Sequence, residues 1–465
     1  MESKSGAPTK IAERRTALIV SCLASFITPF MGSATNIALP SIGREFQASA
    51  ITLGWIATAY SLMAAMVLVP MGRAADIYGR KKIFLQGVAI HTTGSLLASF
   101  SPSMAILLLA RVIQGIGGAM IFGTGVAILT SVFPPQERGK VLGINVSFTY
   151  LGLTLGPILG GALTQYFGWR SIFLFNFLVG LVALSAALAG LKGEWAEARG
   201  EKLDVSGSFF YGLSLVLLIY GFSRLPATSG FLLVICGLIG LLFFVWWETK
   251  MTFPLLNINL FRSNRLFAFS NLAALIHYSA TAAVSLLLSL YLQYIKSFTP
   301  RTAGFILVVQ PVLMALFSPL AGRASDRVEP RLVASTGMAL SSLGLLSLIF
   351  LGPESSLRAI VLSLSFLGLG FALFSSPNTN AVMGSVERKF YGLASSTLAT
   401  MRLCGQMLSL GTVMILFSLF IGPKPIEPEV YPAFLRSAKA GFIIFSLLCA
   451  AGVVASLARG HRQSS

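Results

Sequence analysis

GRAADIYGRKK, Gly72 to Lys82, places Arg73, Asp76, Arg80, Lys81 and Lys82 in one short phrase. The chain around it is only 11% charged and is 55% hydrophobic. The phrase half returns far downstream as GRASDRVEPR, Gly322 to Arg331. An apolar chain that concentrates charge in one place, and then repeats it, must have somewhere wet to put it.

Soluble domains carry about 25% charged residues, so a water-facing surface is not available here, and the mean hydropathy is +0.81. Apolar runs of about 20 residues, the length a helix needs to cross hydrocarbon, recur along nearly all of the 465 residues. Fourteen spans are expected, at 16–40, 52–71, 83–100, 103–133, 141–166, 171–191, 205–224, 227–247, 266–294, 302–321, 331–352, 357–384, 390–421 and 438–458. Open sheets would leave their edges unsatisfied in lipid. The fold class is therefore an all-α polytopic membrane protein. Arg14 and Arg15 lead into a span too long for a cleaved signal peptide. Cys22, Cys236, Cys404 and Cys449 lie inside apolar spans at irregular spacing, as small core residues rather than a disulfide or metal set.

A net charge of +18 would suggest nucleic acid in a soluble protein, but its placement says otherwise. With the N-terminus inside, the cytoplasmic segments hold 23 Lys and Arg and the outer ones 9. By the positive-inside rule both termini are cytoplasmic. Each charged phrase then follows an even-numbered span on the cytoplasmic side, after Pro70 and after Pro319. Residues 1–191 and 266–465 become two parallel six-helix halves, with two helices and their linkers inserted at 192–265.

Parallel halves of this kind resemble the major facilitator superfamily, whose substrate site lies between halves near mid-membrane. GRAADIYGRKK resembles its signature loop, and LARVIQGIGGA, from Leu109, resembles its second motif, built on Arg111, Gln114 and Gly115. GLTLGPILGG, Gly152 to Gly161, resembles the antiporter motif, with Gly152, Gly156, Pro157, Gly160 and Gly161. TNIALP (Thr35 to Pro40), GWRSIFLFN (Gly168 to Asn176), YLQ (Tyr291 to Gln293) and SPLAGRASD (Ser318 to Asp326) resemble phrases of the fourteen-helix drug:proton antiporters. The resemblance covers nearly the whole chain. It implies proton-coupled efflux of drugs or other amphipathic small molecules by alternating access, in the plasma membrane, by a monomer without cofactor or metal. Export of one endogenous metabolite or organic anion by the same fold is the alternative.

The resemblance assigns gating to Gly72, Arg73, Asp76, Gly79, Arg80, Gly322, Arg323 and Asp326. The glycines are expected to form a tight turn. Asp76 is expected to face the N-terminus of span 13 near Phe390 to Gly392, where helix partial charge favours an anion; a solvated turn with a capping aspartate is the plainer reading. Arg111, Gln114, Gly115 and Gly118 share one helix face. An in-span arginine is costly in lipid, so Arg111 is expected to point into a cavity, or to clamp carbonyls of span 1. Arg402, deep in span 13 with Ala399, Gly405, Gln406 and Ser409 on its face, reads as cavity lining or an inter-helix anchor. Asn36, Tyr60, Tyr150, Asn271, His277, Tyr278, Gln293, Gln310 and Asn378 complete the candidate lining, each also plausible as a satisfied buried polar group.

One departure matters. The drug-antiporter pattern usually has a carboxylate where this chain has Gly32, and none of its 16 acidic residues falls in the middle of a span. His91, His277 and the rim aspartates are left as candidates for the proton, with His277 either a carrier or a buried neutral imidazole. A cavity holding Arg111 and Arg402 without in-span acids would be net positive, favouring anionic or neutral amphiphiles. No phosphate-cradling GxxxxGK[ST] and no clustered Asp, Glu and His argue against ATP-driven pumping and against an enzyme.

Overall fold

Apolar runs become helices here because, in hydrocarbon, each backbone N–H must find its acceptor within the segment. The computed structural model describes residues 6–256, 258–387 and 391–459. The first bundle contains α1 (Gly6–Phe46), α2 (Ala50–Tyr78), α3 (Arg80–Ser99), α4 (Met104–Val132), α5 (Pro135–Phe167) and α6 (Arg170–Gly190). Next come α7 (Val205–Arg224), α8 (Thr228–Glu248) and the short α9 (Ile258–Ser263). The second bundle contains α10 (Arg265–Thr281), α11 (Val284–Leu290), α12 (Pro300–Leu307), α13 (Val309–Arg327), α14 (Pro330–Leu348), α15 (Leu357–Gly384), α16 (Tyr391–Phe420) and α17 (Tyr431–Leu457).

Sequence-coded caps set many of the starts. Ser49, Ser103, Asp204, Asn264, Thr299 and Ser356 each accept a first-turn N–H with the side chain, satisfying donors that have no intrahelical partner. Pro135, Pro300 and Pro330 stand at helix starts, where a missing N–H costs nothing.

Among the described residues, thirteen helices or helix pairs are long and apolar enough to cross a membrane. The fourteenth expected crossing, α3, is as long as α7 but more polar. It can be so because it is shielded: His91, Thr92, Ser95 and Ser99 are buried, and glycines bring α4 and α6 onto it. A Cβ on Gly117 would lie 2.4 Å from the His91 nitrogen, and one on Gly180 2.3 Å from the Thr92 hydroxyl.

Two expectations change in detail. Span 266–294 is not one helix: α10 ends at Thr281, α11 follows, and a π-helical turn covers Tyr291–Ile295. The break is tolerated because Ser409 of α16 accepts the Ala283 N–H at 3.0 Å. The first charged phrase is not a loop between glycines. α2 continues through Gly72 to Tyr78, and Gly79 alone makes the turn, at φ 118°. Gly322 likewise sits inside α13, and Glu329 rather than a glycine precedes α14.

Helix α8 turns Leu232, Ile239, Leu242 and Trp246 outward, as a lipid-facing helix should. Helix α7 differs: it lies across α2 and α16. The Tyr211 hydroxyl donates to the Ala65 carbonyl at 3.1 Å and lies 3.5 Å from Cys404 Sγ.

Replacing Gly117 by leucine is expected to destabilise the first bundle by about 1–3 kcal/mol or more through overpacking, read as a lower Tm of the purified protein. Gly143→Leu, at a position with nothing within 4 Å of the added Cβ, is expected to leave Tm unchanged or raise it.

Candidate functional site

Both described ends of the chain lie at one end of the molecule: Arg265 at the start of α10 donates to the Ala458 carbonyl, and Glu13 accepts the Gly193 N–H just beyond α6. The bundles meet along α2 and α16, where Gly54 faces Met414 and Tyr211 bridges Ala65 and Cys404, and hydrogen bonds between them concentrate at the opposite, far end.

Proline chemistry builds that far seam. Pro40 in α1 has no N–H for the Asn36 carbonyl four residues back. The orphaned oxygen accepts Ser289 Oγ of the second bundle at 2.6 Å, and the adjacent Ile37 carbonyl accepts Gln293 Nε2 at 2.9 Å. Asn36 Nδ2 reaches Ser285 Oγ at 3.4 Å. Pro157 in α5 orphans the Leu153 carbonyl in the same way, and Ser33 of α1 donates to it at 3.3 Å.

The Gly–Pro motif divides between two neighbours. Gly152, Gly156 and Gly160, four residues apart, bring α5 against Phe26, Ser33 and Ala34 of α1. On the other side, Gly161 meets the Pro300 carbonyl, and Gly304 of α12 meets the Pro157 carbonyl, where an added Cβ would come within 2.1 Å. Loops finish the closure, with the Ala50 N–H on the Lys424 carbonyl at 3.1 Å and Arg301 Nη1 on Tyr166 at 2.8 Å.

At the termini end, the charged phrase of α2 is covered by the acidic linker 192–204. Arg80, 7% exposed, donates to Asp76 Oδ1 at 2.9 Å through Nε, and through Nη1 to Glu197 at 2.7 Å and Ser131 at 2.8 Å. Arg73 pairs with Glu201. Glu194 accepts the Lys81 N–H at 2.9 Å, while the Asp76 carbonyl accepts the Ala198 N–H at 2.9 Å. The expected partner of Asp76 around Phe390 to Gly392 lies outside the described residues, as does the Asp326 side chain. Arg323 is exposed, and a Cβ on Gly322 would face Ser376 of α15.

Arg111 does not open onto a cavity. It is 1% exposed, with Nε donating to the Ile56 carbonyl of α2 at 3.0 Å, Nη1 to Gln114 Oε1 at 2.7 Å, and its plane 4.7 Å from the Tyr60 ring. The clamped helix is thus α2 and not the first span. Gly115 and Gly118 on the same face let Tyr60 approach, so the shared face is a packing face. Gln114 continues the network to Ser95 at 2.8 Å, which also accepts from Asn176 at 2.9 Å. Neutral acceptors satisfy the guanidinium inside one bundle.

His277 is also sealed in. It is fully buried, with its ring 4.1 Å from Phe374 by centroids and Nδ1 3.8 Å from Cys449 Sγ. The apolar α15 and α17 enclose it, which removes it from the inter-bundle surface expected for a proton carrier there. Gln310 is partly exposed on α13, its carbonyl against Gly368.

Residues from both bundles meet instead at mid-depth around Arg402. Its Nη2 donates to Thr379 Oγ1 at 2.6 Å, and its guanidinium carbon lies 5.7 Å from the centre of the Tyr278 ring. From the first bundle, Tyr150 accepts Ser318 Oγ of α13 at 3.0 Å, has Ser375 within hydrogen-bond reach, and stands within electrostatic range of Tyr278 and Arg402. The residue types of Tyr150 and Tyr278 signalled lining; that they face each other across the joint was not readable from spacing.

A profile of the Major Facilitator Superfamily matches residues 21–206 and 271–464. The chain belongs to the Major Facilitator Superfamily. Superfamily relatives include the riboflavin transporter RibZ of Clostridioides difficile, 28% identical over 94% of this chain and 95% of that protein. The multidrug resistance protein Stp of Mycobacterium tuberculosis is 30% identical, covering 85% of this chain and 75% of its own. Among solved structures, a peptide transporter POT in complex with sulfate shares the fold at TM-score 0.70 and 14% identity, covering 96% of each chain. This superfamily member is a multi-pass membrane transporter of small molecules.

Arg111→Lys is expected to keep the charge but lose the fork between the Ile56 carbonyl and Gln114. The expected result is a loss of about 1–3 kcal/mol, measured as a lower Tm, together with reduced flux in reconstituted vesicles.

Proposed function

We propose that the chain exports drugs or other amphipathic small molecules in exchange for protons, by alternating access. Residues 1–191 and 266–465 are the moving bundles, and 192–265 supplies α7, α8 and their linkers. Both termini face the cytoplasm of a plasma membrane, since Lys and Arg gather at that end. The monomer, seated in the lipid bilayer, is the working unit.

The observation that carries this reading is the proline-built seam. It joins the bundles at the far end through main-chain acceptors and glycine contacts, which supports reading this conformation as the one closed at that end. Asp76 and Arg80, held to the linker through Glu197, serve as the inner latch. In the outward-open state the far seam must separate while the inner end closes, and the orphaned Asn36 carbonyl then finds water. Names of relatives such as Stp and the cephamycin export protein CmcT of Amycolatopsis lactamdurans support export. One observation favours the narrower alternative, an organic-anion cargo: Arg402 stands at the joint without a carboxylate.

Two experiments test the reading in a background where the four native cysteines are replaced. A disulfide between Asn36→Cys and Ser285→Cys is expected to lock the far seam and stop flux, with recovery on reduction; undiminished flux in the locked protein would refute alternating access. An imposed pH gradient, acid on the outer side, is expected to drive accumulation of a transported dye in everted vesicles by about fivefold or more, since each pH unit is worth about 1.4 kcal/mol per proton. Accumulation indifferent to the gradient would reject proton exchange.

A further inference from the structure

Arg402 is the in-span guanidinium whose bonding is left incomplete. Arg111 spends Nε and Nη1 on protein acceptors, whereas the Arg402 Nε is buried and has no hydrogen-bond partner. The hydrogen bond it does make, from Nη2, goes to a neutral hydroxyl. Among the described residues the ion pairs lie away from it, on Arg14, Arg73, Arg80, Arg170 and Arg331. A guanidinium is costly to take into the membrane, and an anion meeting its planar fork forms charge-assisted bonds about twice as strong as neutral ones.

Its surroundings supply the rest of a site. Tyr150, from the opposite bundle, accepts from Ser318 and has the Ser375 hydroxyl beside it, so its own hydroxyl hydrogen can turn from that serine to an anion. Tyr278 lies beside the guanidinium and meets Phe371 edge-on, ring centroids 5.3 Å apart, giving an aromatic wall.

Building on the transport reading above, we infer that Arg402, Thr379 and Tyr150 bind the anionic group, a carboxylate or sulfonate, of an aromatic amphiphile whose body rests on Tyr278 and Phe371. Because Tyr150 and Arg402 belong to different bundles, the bound anion couples their motion. A lipophilic cation meets the Arg402 charge unscreened and is disfavoured.

The test uses the full chain in proteoliposomes and two dyes on one xanthene ring system, carboxyfluorescein as the anion and a rhodamine ethyl ester as the cation. Wild type is expected to move the anion faster. Arg402→Gln is expected to lower the anion rate about tenfold or more, the value of a lost charged hydrogen bond, and to raise the cation rate, reversing the preference. Tyr150→Phe is expected to raise KM for the anion alone. Arg402→Lys, which keeps the charge, is expected to retain the anion preference at higher KM and covers the case in which Arg402→Gln does not fold. Faster cation transport by wild type, an anion-to-cation ratio unmoved by Arg402→Gln, or an anion KM unmoved by Arg402→Lys would overturn the subsite and leave the transporter standing. Movement of neither dye, nor of any of a panel of neutral solutes under a pH gradient, would bring down the transport reading and the subsite together.

Discussion

The arrangement depends on carbonyl oxygens that proline leaves without a helical partner. In hydrocarbon such a group costs several kcal/mol if unmet, so something must come to it. Ser289 comes to Asn36 from the other bundle, and Ser33 comes to Leu153 from the neighbouring helix. Glycines at 161 and 304 then allow main chain to rest on main chain. A seam of this kind rests on main-chain acceptors and close glycine approach, with Arg301 on Tyr166 at its rim. It can part and re-form without dragging an ion through lipid, and water in an opened cleft can satisfy the same oxygens.

The two ends of the molecule are consequently held by different physics. Between the bundles the far end is held mainly by hydrogen bonds to main-chain carbonyls, its ion pair Glu45–Arg170 lying within the first bundle, whereas the inner end carries most of the charge. There Glu194, Glu197 and Glu201 of the linker meet the basic residues of GRAADIYGRKK. Charge can be repeated at this end because it faces water, and the linker neutralises part of it. Helix α7 adds a brace: Tyr211 touches both α2 and α16, so the inserted pair does more than occupy lipid-facing space.

Helix class and the family were legible in the sequence because apolar run length is itself the physical requirement for crossing a bilayer, and thirteen of the fourteen expected spans meet that requirement among the described residues. The glycine spacing of 152, 156 and 160 also gave a true packing face. Neighbours were harder to read. Periodicity put Arg111, Gln114, Gly115 and Gly118 on one face but could not say that α2 covers it. His277 looked available for protons because its rarity drew attention, yet Phe374 and Cys449 enclose it. Gly72 resembled a turn glycine, though the helix runs through it to Gly79. The cluster at Arg402 joins five helices from separate stretches of chain, and no local pattern encodes that meeting. Pro40, by contrast, held a signal that could have been used: a proline deep in a helix always frees the carbonyl four residues back.

Opposed opening and closing of the two ends is the central claim, and distances between paired spin labels test it most directly. One pair would sit at the inner end, on Lys140 and Arg327, and the other at the far end, on Tyr166 and Thr302. Without substrate the far pair is expected to be close and the inner pair distant. Adding substrate and a pH gradient should populate a second state in which both distances change in opposite senses. Distances at the two ends that stay fixed, or that lengthen together, would contradict the account.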